Sequence, residues 1–191
     1  YIEMPVAYDA LTVVINPKNS FLKQATVEEL KALWEPAAQG KVMKWNQVNP
    51  AWPDAPVKLF GAGADSGTFE YFTEAIVGKA KSSRGDYTAS EDDNVLVQGV
   101  SRDVNAIGYF GYAYYAENMA RLKGLPIVNP ASGKAVEPSG ANVENGTYAP
   151  LSRPIFVYVK QKSLEKPEVR EFLEFYMKHA ETLVREVKYV P

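Results

Sequence analysis

Apolar residues along the chain occur in two patterns, short continuous runs and stretches with helical spacing. The runs at residues 6–16 and 57–61, the first of them rich in β-branched residues, predict buried strands. Between them, Thr26 and Glu29 have the Thr-x-x-Glu spacing of a capping box, which predicts a short helix that ends before Pro36. Strands that alternate with helices in this way indicate an α/β fold.

Two amphipathic helices are predicted in the middle of the chain. After Ser66, apolar residues recur at helical spacing as far as Gly78, a residue type that commonly ends helices. A second capped helix is predicted to begin at Ser90, with the acidic Asp93 three residues later. The predicted apolar side of this second helix consists of Val95, Leu96 and Val100.

The rest of the chain predicts further strands and a long final helix. Pro167 suits the first position of that helix, which is predicted to run to Lys188 because apolar residues repeat at helical spacing. The stretch 106–118 predicts a short buried strand that runs into an aromatic helix. Strands are also predicted at 124–130 and 152–160, on either side of a loop rich in Gly, Pro and Asn.

Composition narrows the classes of function. The 191 residues fit one domain, with 46% apolar and 23% charged residues and a net charge of -2. This charge balance argues against nucleic acid as a partner. The chain has no cysteine, so disulfides and thiolate metal ligands are excluded. No apolar run reaches the roughly 20 residues of a membrane span.

The segment LFGAGADSGTFEYF, residues 59–72, carries the strongest candidate chemistry. A strand, a glycine-rich turn and a new helix form the arrangement in which backbone N–H groups bind a phosphate or sulfate. Ser66 and Thr68 each offer a hydroxyl, and Gly67 lets an oxygen approach the backbone closely. The alternative is that Asp65 or Ser66 only caps the helix. The residues alone leave both interpretations open.

Nucleotide and nucleophile motifs fit this segment less well. The sixth position of a G-x-G-x-x-G fingerprint is occupied by Ser66, and no Gly-Lys-Ser/Thr follows for a Walker loop. A G-x-S-x-G nucleophile elbow also fails, because Ala64 and Thr68 replace its glycines. An enzyme that binds a nucleotide or sugar phosphate at this turn remains the alternative function.

Other polar groups give no catalytic or metal site. The single histidine, His179, lies beside the apolar stripe of the last predicted helix. Glu91, Asp92 and Asp93 fall in the first turn after the predicted cap, where negative charge is favoured without a metal. We therefore predict no catalytic residue, no metal and no cofactor.

A tetrahedral anion is commonly paired with an arginine, which contacts two oxygens at once. Arg84, in the segment KSSRGDY, lies between the two central helices on a loop that could fold back toward Ser66. Arg102 and Arg153 are the competing candidates.

Three longer segments carry a resemblance to a known family. DSGTFEYFTEAI, YTASEDDNVLVQGVSRDVNAIGYFGYAYY and TVEELKALWE followed by KWNQVNP resemble the periplasmic phosphate-binding protein of the high-affinity phosphate ABC transporter. The similarity extends over most of the chain. It favours the anion-binding interpretation of residues 59–72 over the simple cap.

The resemblance implies a periplasmic-binding-protein-like α/β lobe, with a mixed sheet flanked by helices. Residues 1–15 would be a hinge strand and remnant of a first lobe, 16–152 the second, ligand-binding lobe, and 153–191 the returning hinge strand and C-terminal helix of the first lobe. Most of that first lobe, including the aspartate that accepts the phosphate proton in the family, is expected to be missing from this sequence.

The resemblance also implies site residues. Ser66, Gly67 and Thr68 correspond to donors to the phosphate oxygens. Many members place an arginine four residues before that serine, and here the position is Ala62. We therefore predict that Arg84 supplies the charge.

The function implied is non-catalytic binding of inorganic phosphate for delivery to an ABC transporter permease. The location implied is periplasmic or extracytoplasmic, and a lipid anchor in the full-length protein is compatible with it. Without the first lobe, the apolar face of the last helix is expected to fold back on this lobe or to associate with another copy. A stand-alone interaction domain, whose turn is only a cap, is the third alternative.

Overall fold

The computed structural model describes residues 1–187 and 189–191, so the predicted end of the last helix at Lys188 lies outside the described residues. Within these described residues, eight strands form the sheets. They are β1 (Ile2–Ile15), β2 (Lys58–Ala62), β3 (Thr88–Ser90), β4 (Ala106–Gly111), β5 (Lys123–Gly124), β6 (Ile127–Val128), β7 (Ala135–Val136) and β8 (Ser152–Val159).

In the part of the chain that the structure describes, six α-helices connect or follow these strands. They are α1 (Val27–Trp34), α2 (Gly67–Phe72), α3 (Asp93–Arg102), α4 (Tyr112–Glu117), α5 (Gly140–Glu144) and α6 (Pro167–Glu186). A π-helical turn, Thr73–Val77, continues α2, and short 3-10 turns occupy Pro36–Ala38, Trp45–Gln47 and Gln161–Glu165. The predicted α/β class is confirmed.

The main sheet is mixed. Its strand order is β3-β2-β4-β1-β5, and β8 also pairs with β1. Strand β2 runs parallel to β3 and β4, whereas β1 runs antiparallel to β4, β5 and β8. Strands β6 and β7 form a separate antiparallel pair. The three parallel strands therefore share one carboxyl edge.

Strand β1 takes part in two different ladders. Its first part pairs with β8 from Ile2 to Ala10, with an irregularity between Pro5 and Ala7. Its second part, from Leu11 to Ile15, pairs with β4 and is buried throughout. The sequence predicted only this strand's apolar portion from residue 6, because the segment before it is mostly exposed and held by backbone pairing.

The sheet separates two hydrophobic cores. Side chains alternate along β1, so Val13 belongs to the larger core and Val14 to the smaller one. In the larger core, the rings of Phe72 and Tyr109 stack with centroids 3.6 Å apart, and Trp34 packs edge-on against Tyr109 at 4.9 Å. The pairing of aromatic rings fixes α1 and α2 on the same face of the sheet.

The predicted capping box of α1 is present. The Glu29 N–H donates to Thr26 Oγ1 at 3.1 Å, and the Thr26 N–H donates to Glu29 Oε2 at 2.9 Å. The helix predicted after Ser66 is also confirmed, and Gly78 ends it in the left-handed conformation with φ of 87°. Both helices begin where the sequence supplies an oxygen for the free N–H groups of the first turn.

The predicted start of the next helix is wrong by two residues. Ser90 is the last residue of β3 and pairs with Ala62, so its backbone is extended. The cap of α3 is instead Asp92, whose carboxylate accepts from the Asn94 N–H at 2.9 Å. The shift also turns Val95 outward, and this residue is 47% exposed rather than part of the apolar side.

Helix α6 begins at Pro167 as predicted and packs on β1. Only part of its apolar stripe is covered: Leu173 and Val184 are buried, whereas Phe172 and Leu183 are exposed. Among the helices in the described part of the chain, none combines the length and the apolar character needed to cross a membrane.

Candidate functional site

The carboxyl edge of the parallel strands gathers the polar residues of the candidate site. Strand β2 ends at Ala62 shortly before Ser66, β3 ends at Ser90 shortly before Asp93, and β4 ends at Gly111 directly before α4. In open α/β sheets, ligands bind in the crevice outside this edge, next to the helix starts. The fold therefore places the glycine-rich turn where ligands bind in comparable sheets.

The first turn of α2 is open to an incoming anion. Ser66 caps the helix by accepting the Thr68 N–H at 3.1 Å, and its own hydroxyl proton is left to donate elsewhere. Apart from Ser66, Thr68 and the backbone of α2 itself, no atom of the described residues lies within 4 Å of where a β-carbon at Gly67 would stand. The other N–H groups of the first turn have no intrahelical acceptor. An oxyanion can thus approach this backbone directly.

A cavity of about 230 Å³ adjoins this turn. Thr68 from α2 lines it together with Asp93 at the start of α3 and Asp9 from β1. Four tyrosines also line the cavity, namely Tyr8, Tyr112, Tyr114 and Tyr189. The cavity therefore brings a predicted phosphate-binding residue next to two carboxylates.

Asp93 has an altered acidity at this position. Burial is the main cause that raises the pKa of its carboxyl to about 6, and the charges of Asp92 and Glu91 add to it. The sequence placed Asp93 in a helix first turn but did not indicate a cavity. The signal that could have found it is the rule that parallel strands end at one edge, applied to β2 and β3 together.

Arg153 is linked to the cavity by its ion pair with Asp9, which lines the cavity. Its Nε and Nη2 donate to Asp9 Oδ2 at 3.2 and 3.1 Å. Its guanidinium lies 3.9 Å from the centroid of the Tyr71 ring on α2, a distance that suits a cation–π contact. The Arg153 side chain is 49% exposed, and its Nη1 group is not used in either contact.

Arg84 has a different role from the one predicted. Only 3% of the residue is exposed. Its Nη1 donates to the carbonyl oxygens of Leu33 and Val42 at 3.1 and 2.9 Å. Its Nε and Nη2 donate to the two carboxylate oxygens of Asp86 at 2.5 and 2.8 Å. Nη2 also contacts Met43 Sδ at 3.8 Å.

These contacts use all five N–H donors of the guanidinium, so Arg84 has none left for an anion. The prediction that Arg84 supplies the charge is therefore corrected. Arg102 lies at the opposite end of α3 from Asp93, about 14 Å away at 1.5 Å per residue. Of the three candidates, Arg153 has the contact with a residue that lines the cavity.

The chain is similar to several known proteins. A model of the PBP superfamily domain matches residues 1–179. Protein SphX from Synechocystis sp. is 52% identical over 192 residues, covering 100% of this chain and 56% of SphX. The phosphate-binding protein PstS of Staphylococcus haemolyticus is 36% identical over 193 residues, covering 100% of this chain and 58% of PstS.

Among solved structures, a possible phosphate binding protein from Planctomyces limnophilus matches with a TM-score of 0.90 and 52% identity, over 99% of this chain and 66% of that one. The chain spans about half the length of the curated relatives it matches. It is homologous to the SphX and PstS proteins. Since the superfamily model covers nearly all of the sequence, the chain belongs to the PBP superfamily.

Proposed function

We propose that this chain binds inorganic phosphate at the first turn of α2, as the binding part of a non-catalytic receptor that delivers phosphate to an ABC transporter permease. The observation that carries the proposal is the open turn at Ser66, Gly67 and Thr68, on the carboxyl edge of the parallel strands. Two of the matched proteins are named for binding phosphate, and their sequences align over this whole chain.

In this proposal, the hydroxyls of Ser66 and Thr68 and the backbone N–H of Gly67 donate to phosphate oxygens. Arg153 takes the place that the sequence suggested for Arg84. The Nη1 nitrogen of Arg153 takes no part in the contact with Asp9. The guanidinium also lies close to α2, because it contacts the ring of Tyr71 on that helix. A bidentate or single contact from this nitrogen would offset part of the phosphate charge.

We also propose a division of the chain, which the two ladders of β1 support. Residues 1–15 and the strand β8 would form the crossing connection between two lobes, and 16–152 would form the phosphate-binding lobe. Residues 153–191 would return to the other lobe. The proposed location is extracytoplasmic, where receptors of this kind meet a permease.

The direct test is an NMR titration with phosphate that follows the amide signals of Gly67 and Thr68. A hydrogen bond to a charged group contributes about 1.5 to 3 kcal/mol, so Thr68→Val should weaken binding by roughly 10- to 150-fold. Thr88→Val is the matched control, because Thr88 is exposed on β3 and away from the cavity lining. Equal phosphate affinity in the two variants would contradict the assignment.

The affinity itself is a second readout. Micromolar binding corresponds to roughly -8 kcal/mol, and a site with donors on one side only should fall short of it. Calorimetry should therefore give weak phosphate binding.

A thermal-shift series with phosphate, sulfate and NAD separates the alternative functions. Stabilisation by NAD alone would favour a nucleotide-binding enzyme, and no stabilisation by any anion would favour a simple cap.

Self-association through α6 is a separate proposal. Phe172 and Phe175 are each 61% exposed and Leu183 is 44% exposed, and apolar surface of this kind is usually covered in solution. Light scattering after gel filtration should show a concentration-dependent dimer that Phe172→Glu abolishes. A strictly monomeric chain at high concentration would contradict this proposal without affecting phosphate binding.

A further inference from the structure

A pocket of about 450 Å³ lies at the far end of α3 from Asp93. Three cations line it, and each comes from a different segment: Lys18 follows β1, Arg102 is the last residue of α3, and Arg121 lies between α4 and β5. No acidic residue of the described chain is part of its wall. We call it the basic pocket. It is separate from the cavity beside Thr68, because the two have no described lining residue in common.

The three cations of the basic pocket are not neutralised by carboxylates. Within residues 1–187 and 189–191, none of them takes part in an ion pair. Arg121 contacts Ser101 Oγ at 3.4 Å, which is longer than the usual N–H···O distance of about 3.0 Å. The acidic residue that follows α3, Asp103, does not line the pocket, and its Oδ1 accepts the Asn105 N–H at 2.8 Å. Most N–H donors of the three cations are therefore available to a ligand.

A cation at the end of a helix is often explained by the free carbonyl groups there. In α3, other side chains satisfy several of these carbonyls. Asn16 Nδ2 donates to the carbonyl oxygens of Val100 and Ser101 at 3.1 and 2.9 Å, and the Ser101 hydroxyl donates to the Gln98 carbonyl at 3.1 Å. Asn16 Oδ1 also accepts the Lys18 N–H at 2.9 Å, which fixes the turn that carries this lysine. The helix end therefore does not account for the cations, and their backbone is already in place.

We propose that the basic pocket is a second anion site, which binds a phosphoryl group carrying about two negative charges. Two guanidinium groups can each contact two phosphoryl oxygens, and Lys18 adds a third positive charge. The net charge of the chain is -2, so a generally basic surface does not explain this cluster. The volume lies within the range of about 300 to 1,000 Å³ that small-ligand sites occupy. The phosphoryl group is either free, as in an oligophosphate, or part of the headgroup of an anionic lipid.

The first arm of the test is a titration of the full chain with inorganic diphosphate at low ionic strength, because salt screens exposed charges. We expect a saturable shift of the Lys18 amide signal. Arg102→Gln and Arg121→Gln should each weaken this binding by about tenfold or more, since hydrogen bonds between charged groups are lost. Arg170→Gln is the matched control, because it removes the same charge from an exposed arginine on α6 that does not line the pocket.

The second arm is sedimentation with vesicles of phosphatidylcholine and phosphatidic acid in equal parts, compared with phosphatidylcholine alone. Binding of diphosphate that Arg102→Gln weakens and Arg170→Gln retains identifies a free ligand. The same pattern with the acidic vesicles alone identifies a lipid headgroup.

Two results would overturn the inference. One is an equal loss in Arg102→Gln and Arg170→Gln, and the other is binding of neither probe by the unmodified chain. The amide spectrum of each variant verifies its fold. The proposed function is tested separately by the Gly67 amide on addition of phosphate, so either idea can fail without the other.

Discussion

Replacing Arg84 by methionine separates a structural role for this arginine from a role in anion binding. The guanidinium ties together three segments: the end of α1 through Leu33, the following loop through Val42, and its own loop through Asp86. Methionine keeps most of the apolar stem but removes all five donors. We expect a large loss of stability and, where the protein is still folded, unchanged phosphate binding.

The size of the stability loss depends on the groups that Arg84→Met leaves without a hydrogen-bonding partner. Breaking a buried ion pair costs about 3 to 5 kcal/mol, because the remaining partners lose their hydrogen bonds. Here the Leu33 and Val42 carbonyls become unsatisfied, each at about 1 to 3 kcal/mol. The side chain of Asp86 is 30% exposed and regains water, which reduces the cost. We therefore expect a loss of about 3 kcal/mol, which lowers the urea midpoint by about 1 to 2 M.

Acid unfolding supplies an independent measurement. Hydrogen bonds from Arg84 are the main cause that lowers the pKa of Asp86 to about 2. Because the folded pKa lies below the unfolded value of about 3.9, this contribution is complete above about pH 4 and is lost as the pH falls toward 2. In Arg84→Met that part of the pH dependence should disappear.

The control is Arg102→Met, which makes the same change at an arginine near the end of α3 and should cost no more than about 1 kcal/mol. A loss of less than about 1 kcal/mol in Arg84→Met would contradict the structural role of this arginine, given the 3 to 5 kcal/mol known for buried pairs. A folded Arg84→Met chain whose Gly67 amide no longer shifts on addition of phosphate would show that Arg84 does take part in anion binding.

Three further predictions concern the elements around the site. Gly99→Ala should destabilise by about 1 kcal/mol or more in urea despite better helix propensity, since the new β-carbon would fall on the Phe60 ring; a more stable variant would contradict that packing. Thr26→Ala should cost about 1 kcal/mol through loss of the capping box, measured in the same way. Asp93→Asn should be more stable than the parent by about 1 kcal/mol near pH 7, after discounting for solvent screening. The raised pKa means that the parent loses stability as the pH rises from about 4 to about 6, so an equal gap at low and neutral pH would contradict this assignment.

Local signals in the sequence were enough for the elements that have their own start and stop residues. Thr26, Glu29 and Pro36 define α1, and Ser66 and Gly78 define the helix that carries the candidate site. Each of these residues acts through its nearest neighbours in the chain. For that reason their structural effect could be predicted without knowledge of the fold.

Pairing between distant segments could not be predicted in this way. Ser90 looked like a cap, but its backbone is engaged in the ladder with Ala62, 28 positions earlier. Arg84 looked free because its partners, Leu33 and Val42, lie more than 40 positions away. The cavity beside Asp93 depends on three strands that end together. Such contacts depend on topology, and a single sequence without an alignment carries little information about it.

The continuous strand β1 affects how this protein unfolds locally. One 14-residue strand holds β8 along its first part and β4 along its second, so separating either partner exposes backbone groups of the same strand. Native-state hydrogen exchange should therefore show the Leu11–Ile15 amides among the slowest. Protection of the amides should decline stepwise across the irregularity between Pro5 and Ala7. That step would show where local unfolding of the strand begins.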